Sequence, residues 1–285
     1  MIVFGILICI VSIFSKISCH QVLSKVITDK ISNSNSKKSS WQKFNQAVLP
    51  FLDEPITTVL TFGTNCLAKF RVLSFCHDET ILKRFKNHNH LFDWMAPLNY
   101  TLLGIAAENN FTDAFGEEFL TVKHFDIFST LFNDKYKFIF AHAFDGFDNF
   151  VSHHDRTTFL TDDLFHKYYY LIDEKFKLLT QKSQEAIHTD KKTLYIIYGD
   201  TVYSDPMGQR QENYIAFTNS IKKSRNNNFL VLVLVTNNLS AVNDYIFDTI
   251  IEGNLIIHQI QFYPYNRWSH KESITQWNNI LNIFA

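Results

Sequence analysis

Glycine and proline are scarce in this chain, 8 and 5 in 285 residues, where shares of about 7% and 5% are usual. That argues against a sandwich or barrel built on many tight turns. Charge of either sign in excess is missing too. The 27 Lys and Arg are offset by 28 Asp and Glu, a formal net charge of -1, so no nucleic-acid partner is expected. Cysteine is limited to 4 residues, too few for a disulfide-built scaffold. Beyond the N-terminus no run of 18 apolar residues occurs, and no membrane contact is expected once a leader is removed. A Gly-rich phosphate loop and a G-x-S-x-G elbow are both missing, so neither a nucleotide nor the usual serine chemistry is indicated and no cofactor is expected.

What is present is enough for a packed core. Hydrophobic residues make up 46% and charged residues 19% of the chain, which is the balance of a folding sequence and not of a disordered one. The length suits one large domain. Residues 1–14, MIVFGILICIVSIF, form an uncharged apolar run of signal-peptide length, followed by the small residues Ser15, Ser18 and Cys19. We read residues 1–19 as a signal peptide, although no basic residue precedes the apolar run. Residues 20–40 follow as a polar linker ending SNSNSKKSS, and residues 41–285 as a single globular domain. Sequons at Asn99, Asn110 and Asn238 fit a chain that is secreted or resides in the secretory-pathway lumen, with those three residues as candidate glycosylation sites.

Short apolar runs rich in β-branched and aromatic residues recur at Thr57–Phe62, Lys137–Ala141, Thr193–Tyr198, Phe229–Val235 and Leu255–Gln261. Most are continuously apolar, as in strands buried on both faces. Segments of helical period lie between and after them: Leu67–Phe75, Thr161–Gln181, Glu212–Lys223 and Lys271–Phe284. The alternation predicts an α/β fold of three layers, a mostly parallel sheet flanked by helices, whose active site gathers at the carboxyl ends of the strands.

Chemistry-bearing residues fall at two of those strand ends. The first strand leads into Gly63-Thr64-Asn65-Cys66, where a helical pattern starts. A thiol at a helix N-terminus is favoured as thiolate, and the free backbone N–H groups of Asn65 and Leu67 offer an oxyanion site. The same placement also suits a small buried cysteine, or a disulfide from Cys66 to Cys76. His142 stands where the second apolar run stops and has the chemistry of a general base. Asp93, in Phe92-Asp93-Trp94-Met95, is a carboxylate between large aromatics that could orient an imidazole or cap a helix, and Asp145 is the alternative orienter. His88, His90, His153, His154 and Asp155 lack zinc-ligand spacing, and no metal is expected.

Read together, Val59–Cys66, Leu73 and Phe92–Met95 resemble a family of uncharacterised proteins described as papain-like cysteine peptidases. Its members share a strand leading to S-L-G-x-N-C, an F-D-W or L-D-W segment and a strand ending S-x-H-D-F. The similarity runs from about Val59 to the C-terminus, with Phe140–Phe144 at the H-D-F position, Leu194–Tyr198 and Leu230–Val235 at two hydrophobic strands, and Trp268 and Trp277 in a closing aromatic segment. The resemblance implies a Cys66 nucleophile, a His142 base and a peptide substrate. This chain departs from the pattern at Thr61, at Ala143 in place of the family's Asp, and at Tyr198-Gly199-Asp200, where an Arg is expected. If the missing Asp orients the base, either this copy is impaired or Asp93 or Asp145 replaces it. Acyl or glycan-ester transfer by the same thiol, and a non-catalytic binding protein with a structural Cys66–Cys76 pair, are the alternatives.

Overall fold

The computed structural model describes residues 40–54, 56–63, 95–125, 128–140, 161–200, 211–224, 228–238, 249–262 and 279–284. Their elements in chain order are α1 (residues 40–48), β1 (Thr58–Gly63), β2 (Ala96–Pro97), α2 (Tyr100–Glu108), β3 (Leu120–Phe125), β4 (Phe128–Asn133), β5 (Phe138–Phe140), α3 (Asp162–Tyr168), α4 (Tyr170–Ile187), β6 (Thr193–Asp200), α5 (Gln211–Ser224), β7 (Phe229–Asn238), β8 (Ile250–Glu252), β9 (Leu255–Phe262) and α6 (residues 279–283).

The expected α/β character is present. Five strands form a mixed sheet in the order β1-β6-β7-β9-β8, in which β1, β6, β7 and β9 are parallel and only β8 runs against its neighbour. The continuous apolar runs are explained by burial on both sides. In β7, Phe229, Val231 and Val233 belong to one apolar cluster and Leu230, Leu232 and Leu234 to a second; β6 divides the same way, Tyr195 and Ile197 against Leu194 and Ile196. Alternation of side chains along a strand sends each set to its own face.

Different parts of the chain close the two faces. Strand order follows sequence order from β1 to β9, so successive right-handed crossovers would all fall on one face. The crossover segments do share a cluster: Tyr100 and Leu103 of α2, Phe165 of α3, Phe176 of α4 and Phe217 of α5 join Phe62, Tyr195 and Val231. The opposite face is covered from the two ends of the described chain, by Phe44 and Val48 of α1 and by Ile280, Leu281 and Phe284 in and beside α6.

One expectation needs correcting. The run Lys137–Ala141 is not a strand of the parallel sheet; its described part, β5, belongs to a second, antiparallel sheet ordered β2-β5-β4-β3. The reason is local. After β4, the Asn133 side chain accepts a hydrogen bond from Tyr136 N at 2.7 Å, Lys137 N donates to Asn133 O at 2.8 Å, and Lys137 takes a positive φ of 58°. This tight reversal returns the chain beside β4, which makes the pairing antiparallel. Ala96–Pro97 forms β2 at the edge of that sheet, where proline is tolerated. The helical pattern Thr161–Gln181 divides into α3 and α4 around Tyr169, and Tyr170 is exposed.

Candidate active site

The parallel strands carry the chain to one rim. Register places Gly63 beside Tyr198 and Tyr198 beside Leu234, with Leu234 next to His258. Beyond that row the strands turn polar in sequence: Gly199-Asp200 in β6, Thr236-Asn237-Asn238 in β7 and Gln259 and Gln261 in β9. The carboxyl edge of a parallel sheet is where such folds bind ligands, because loops diverge there and leave a crevice. Asp200, the last residue of β6, stands at this rim in the sequence and is an acidic residue that sequence reasoning did not select. Its signal was the point where the apolar run of β6 ends, two residues beyond the partner of Gly63.

Of the residues expected to carry chemistry, Cys66, Asn65, Leu67, Asp93, His142 and Asp145 lie outside the described residues, as does Cys76. Their flanks are described. Cys66 follows the end of β1 by three residues; Phe62, just before that end, is fully buried and stacks on Tyr195 with ring centroids 6.1 Å apart. Asp93 precedes β2 by three residues and His142 follows β5 by two. In the β2–β5 pair Ala96 faces Ile139 and Pro97 faces Phe138, so the start of β2 and the end of β5 are at the same end of the small sheet. β1 and β2, edge strands of the two sheets, approach within 8 Å at Cα, and Phe62 and Met95 share one apolar cluster. Flanks this deeply packed fix the points from which the candidate residues depart.

The three sequon asparagines differ in setting. Asn99 is the N-cap of α2, its Oδ1 accepting from Leu102 N at 3.0 Å, and it is half-buried; Thr101 of the same sequon donates to Asn213 Oδ1 at 3.0 Å. Asn110 is exposed on the turn after α2 with a φ of 53°, and its Oδ1 lies 2.6 Å from Nε2 of His188. Asn238 is the last residue of β7, in register with Phe262.

Among the described residues no group of three His, Cys, Asp or Glu side chains converges as a metal site, and no helix is long and apolar enough to cross a membrane. The chain matches no protein-family model, no curated protein and no solved structure.

Proposed function

We propose that the chain is a thiol hydrolase of the secretory pathway, acting on a peptide or related acyl substrate, built as one three-layer α/β domain. Cys66 is the nucleophile, His142 the base, Asp93 the residue that orients His142, and the backbone N–H groups of Asn65 and Leu67 the oxyanion donors. The observation that carries this reading is the arrangement of the flanks. A buried edge strand of a parallel sheet ends at Gly63, beside the edge of a second sheet whose β2–β5 register brings the approaches to Asp93 and His142 to one end. Tethers of two or three residues, each spanning at most about 3.6 Å, lead from these fixed ends to the three side chains.

The chemistry follows from those roles. His142 takes the thiol proton as Cys66 Sγ attacks the acyl carbon, and the carbonyl oxygen gains its charge among the backbone N–H groups. Collapse of the intermediate breaks the acyl–leaving-group bond, and the imidazolium returns its proton to the departing group. Water, deprotonated by His142, then attacks the thioester, releasing the acid and restoring the thiol.

Cys66→Ser is expected to abolish hydrolysis of a panel of peptide and acyl-ester substrates while leaving the thermal transition in place. Undiminished turnover in that variant, or a Cys66–Cys76 disulfide in active material, overturns the assignment.

A further inference from the structure

His258 of β9 is buried to 2% exposure on the face of the parallel sheet covered by α1. Its Nδ1 lies 3.0 Å from the Thr249 hydroxyl, which donates to the main-chain oxygen of Ser40 at 2.9 Å and lies 2.8 Å from the Ser40 hydroxyl. Thr249 has one proton to give, and Ser40 O can only accept. The three contacts are satisfied together only when Ser40 Oγ and His258 Nδ1–H both donate to Thr249 Oγ1, which fixes the neutral Nδ1–H tautomer. The ring sits between aromatics of α1, with Trp41 at 4.9 Å and Phe44 at 4.6 Å between centroids. Among the described residues no hydrogen bond reaches Nε2.

We propose that Ser40, Thr249 and His258 form a pH-sensitive latch, in which the neutral imidazole holds the first turn of α1 against β9 and protonation at Nε2 loosens it. This goes beyond the hydrolase reading and is independent of it. An imidazolium here would carry its charge and a second N–H into an aromatic-lined, nearly dry site. Burial alone pushes the His258 pKa down, from 6.5 to about 4. The charged groups on the packed elements, Lys43 of α1 and Glu252 of β8, are exposed and do not contribute to that depression; α6 carries no titratable side chain in residues 279–284.

The direction follows from linkage. Because the closed state binds the proton more weakly than the open one, closure is near full strength above pH 6.5, weakens by nearly tenfold per pH unit as the pH falls toward 4, and approaches a limit of about 300-fold only below pH 4. The other contacts of α1, Phe44 and Val48 in the apolar cluster, are indifferent to pH.

Amide hydrogen exchange of residues 44–48 in the full chain, corrected for the intrinsic pH dependence, tests the latch. Protection is expected to fall by about 100-fold between pH 7 and pH 4 in the wild type, and to stay flat in His258→Gln, which keeps a polar side chain without the titration. Thr249→Val removes the bridge and leaves the imidazole; its protection is expected to be low already at pH 7 and to fall less on acidification. An unchanged wild-type protection factor, or the same acid-induced fall in both variants, overturns the latch.

Discussion

Gly104 of α2 lies directly against Ser220 and Phe217 of α5, and replacing it with alanine sets two effects of known sign against each other. Glycine inside a helix costs about 1 kcal/mol relative to alanine, so an exposed Gly→Ala change here would stabilise. Gly104 is buried. An added Cβ would stand 2.8 Å from both Cβ and Oγ of Ser220 and 3.3 Å from Phe217 Cα, well inside the roughly 3.5–4.0 Å optimum for carbon contacts. Neither helix can retreat freely. Tyr100 packs on Tyr214 and Phe217, Thr101 donates to Asn213, and Lys223 pairs with Glu108 at 3.0 Å, so contacts at both ends of α2 hold the two axes together. Overpacking of this kind costs about 1–3 kcal/mol. The net expectation is a loss of about 1–2 kcal/mol, read as a lower urea midpoint with an unchanged m-value. Ser220→Gly should cost less in the Gly104→Ala background than in the parent, and the double-mutant cycle isolates that steric coupling from the cost of a glycine in α5 and the loss of the Ser220 hydrogen bond to Glu108. A Gly104→Ala protein more stable than the parent would refute the reasoning.

Further outcomes follow from buried polar groups. Asn133, fully buried, donates to the carbonyls of Asp113 and Ala114 at 3.0 Å each and accepts from Tyr136 N, so Asn133→Leu should cost about 3 kcal/mol or more in a denaturation experiment. An Asn133→Leu protein within 1 kcal/mol of the parent, roughly the worth of one ordinary hydrogen bond, would contradict that account of the turn. Lys192 is buried, its ammonium bonded to the Asp53 carboxylate and 4.8 Å from the Phe51 ring centre. Lys192→Met is expected to leave the melting temperature unchanged or higher, while Asp53→Ala lowers it, because the first removes a desolvated charge and the second strands it. A Met variant less stable than the Asp53→Ala variant would reverse that argument. Gly253, with a φ of 56° and no atom within 4 Å of an added Cβ, turns β8 into β9; Gly253→Ala should cost about 1 kcal/mol through backbone strain alone, and a neutral result in thermal denaturation would count against it.

The parallel sheet was legible because its strands announce themselves twice. β6 and β7 carry continuous apolar runs that end where polar residues begin, β9 opens on the apolar Leu255-Ile256-Ile257, and each of the three lies within three residues of the expected bounds. Helix α5 was legible for a different reason: its apolar positions, Tyr214, Phe217 and Ile221, recur at helical spacing, and Lys222 and Lys223 sit in its last turn as the dipole favours. The antiparallel sheet was not legible. Its strands are two to six residues long, and β5 shares the aromatic composition of the parallel strands, so direction depended on a turn set by an asparagine side chain and not by glycine. α2 was missed because it is apolar on most sides, Leu103, Ala106 and Ala107 being buried in one cluster, and so shows little amphipathic period. The His258 latch joins residues more than 200 positions apart, a pairing that no local pattern encodes.

The thiol itself offers the most direct test of the proposed chemistry. In the mature, unreduced protein the rate of iodoacetamide alkylation at Cys66, followed by peptide mass across pH 5–10, is expected to reach half its maximum well below the ordinary thiol value of about 8.5, and to lose that low-pH reactivity in His142→Ala. A half-maximum at the ordinary value, or a Cys66 that is not alkylated because it is bonded to Cys76, would contradict the account.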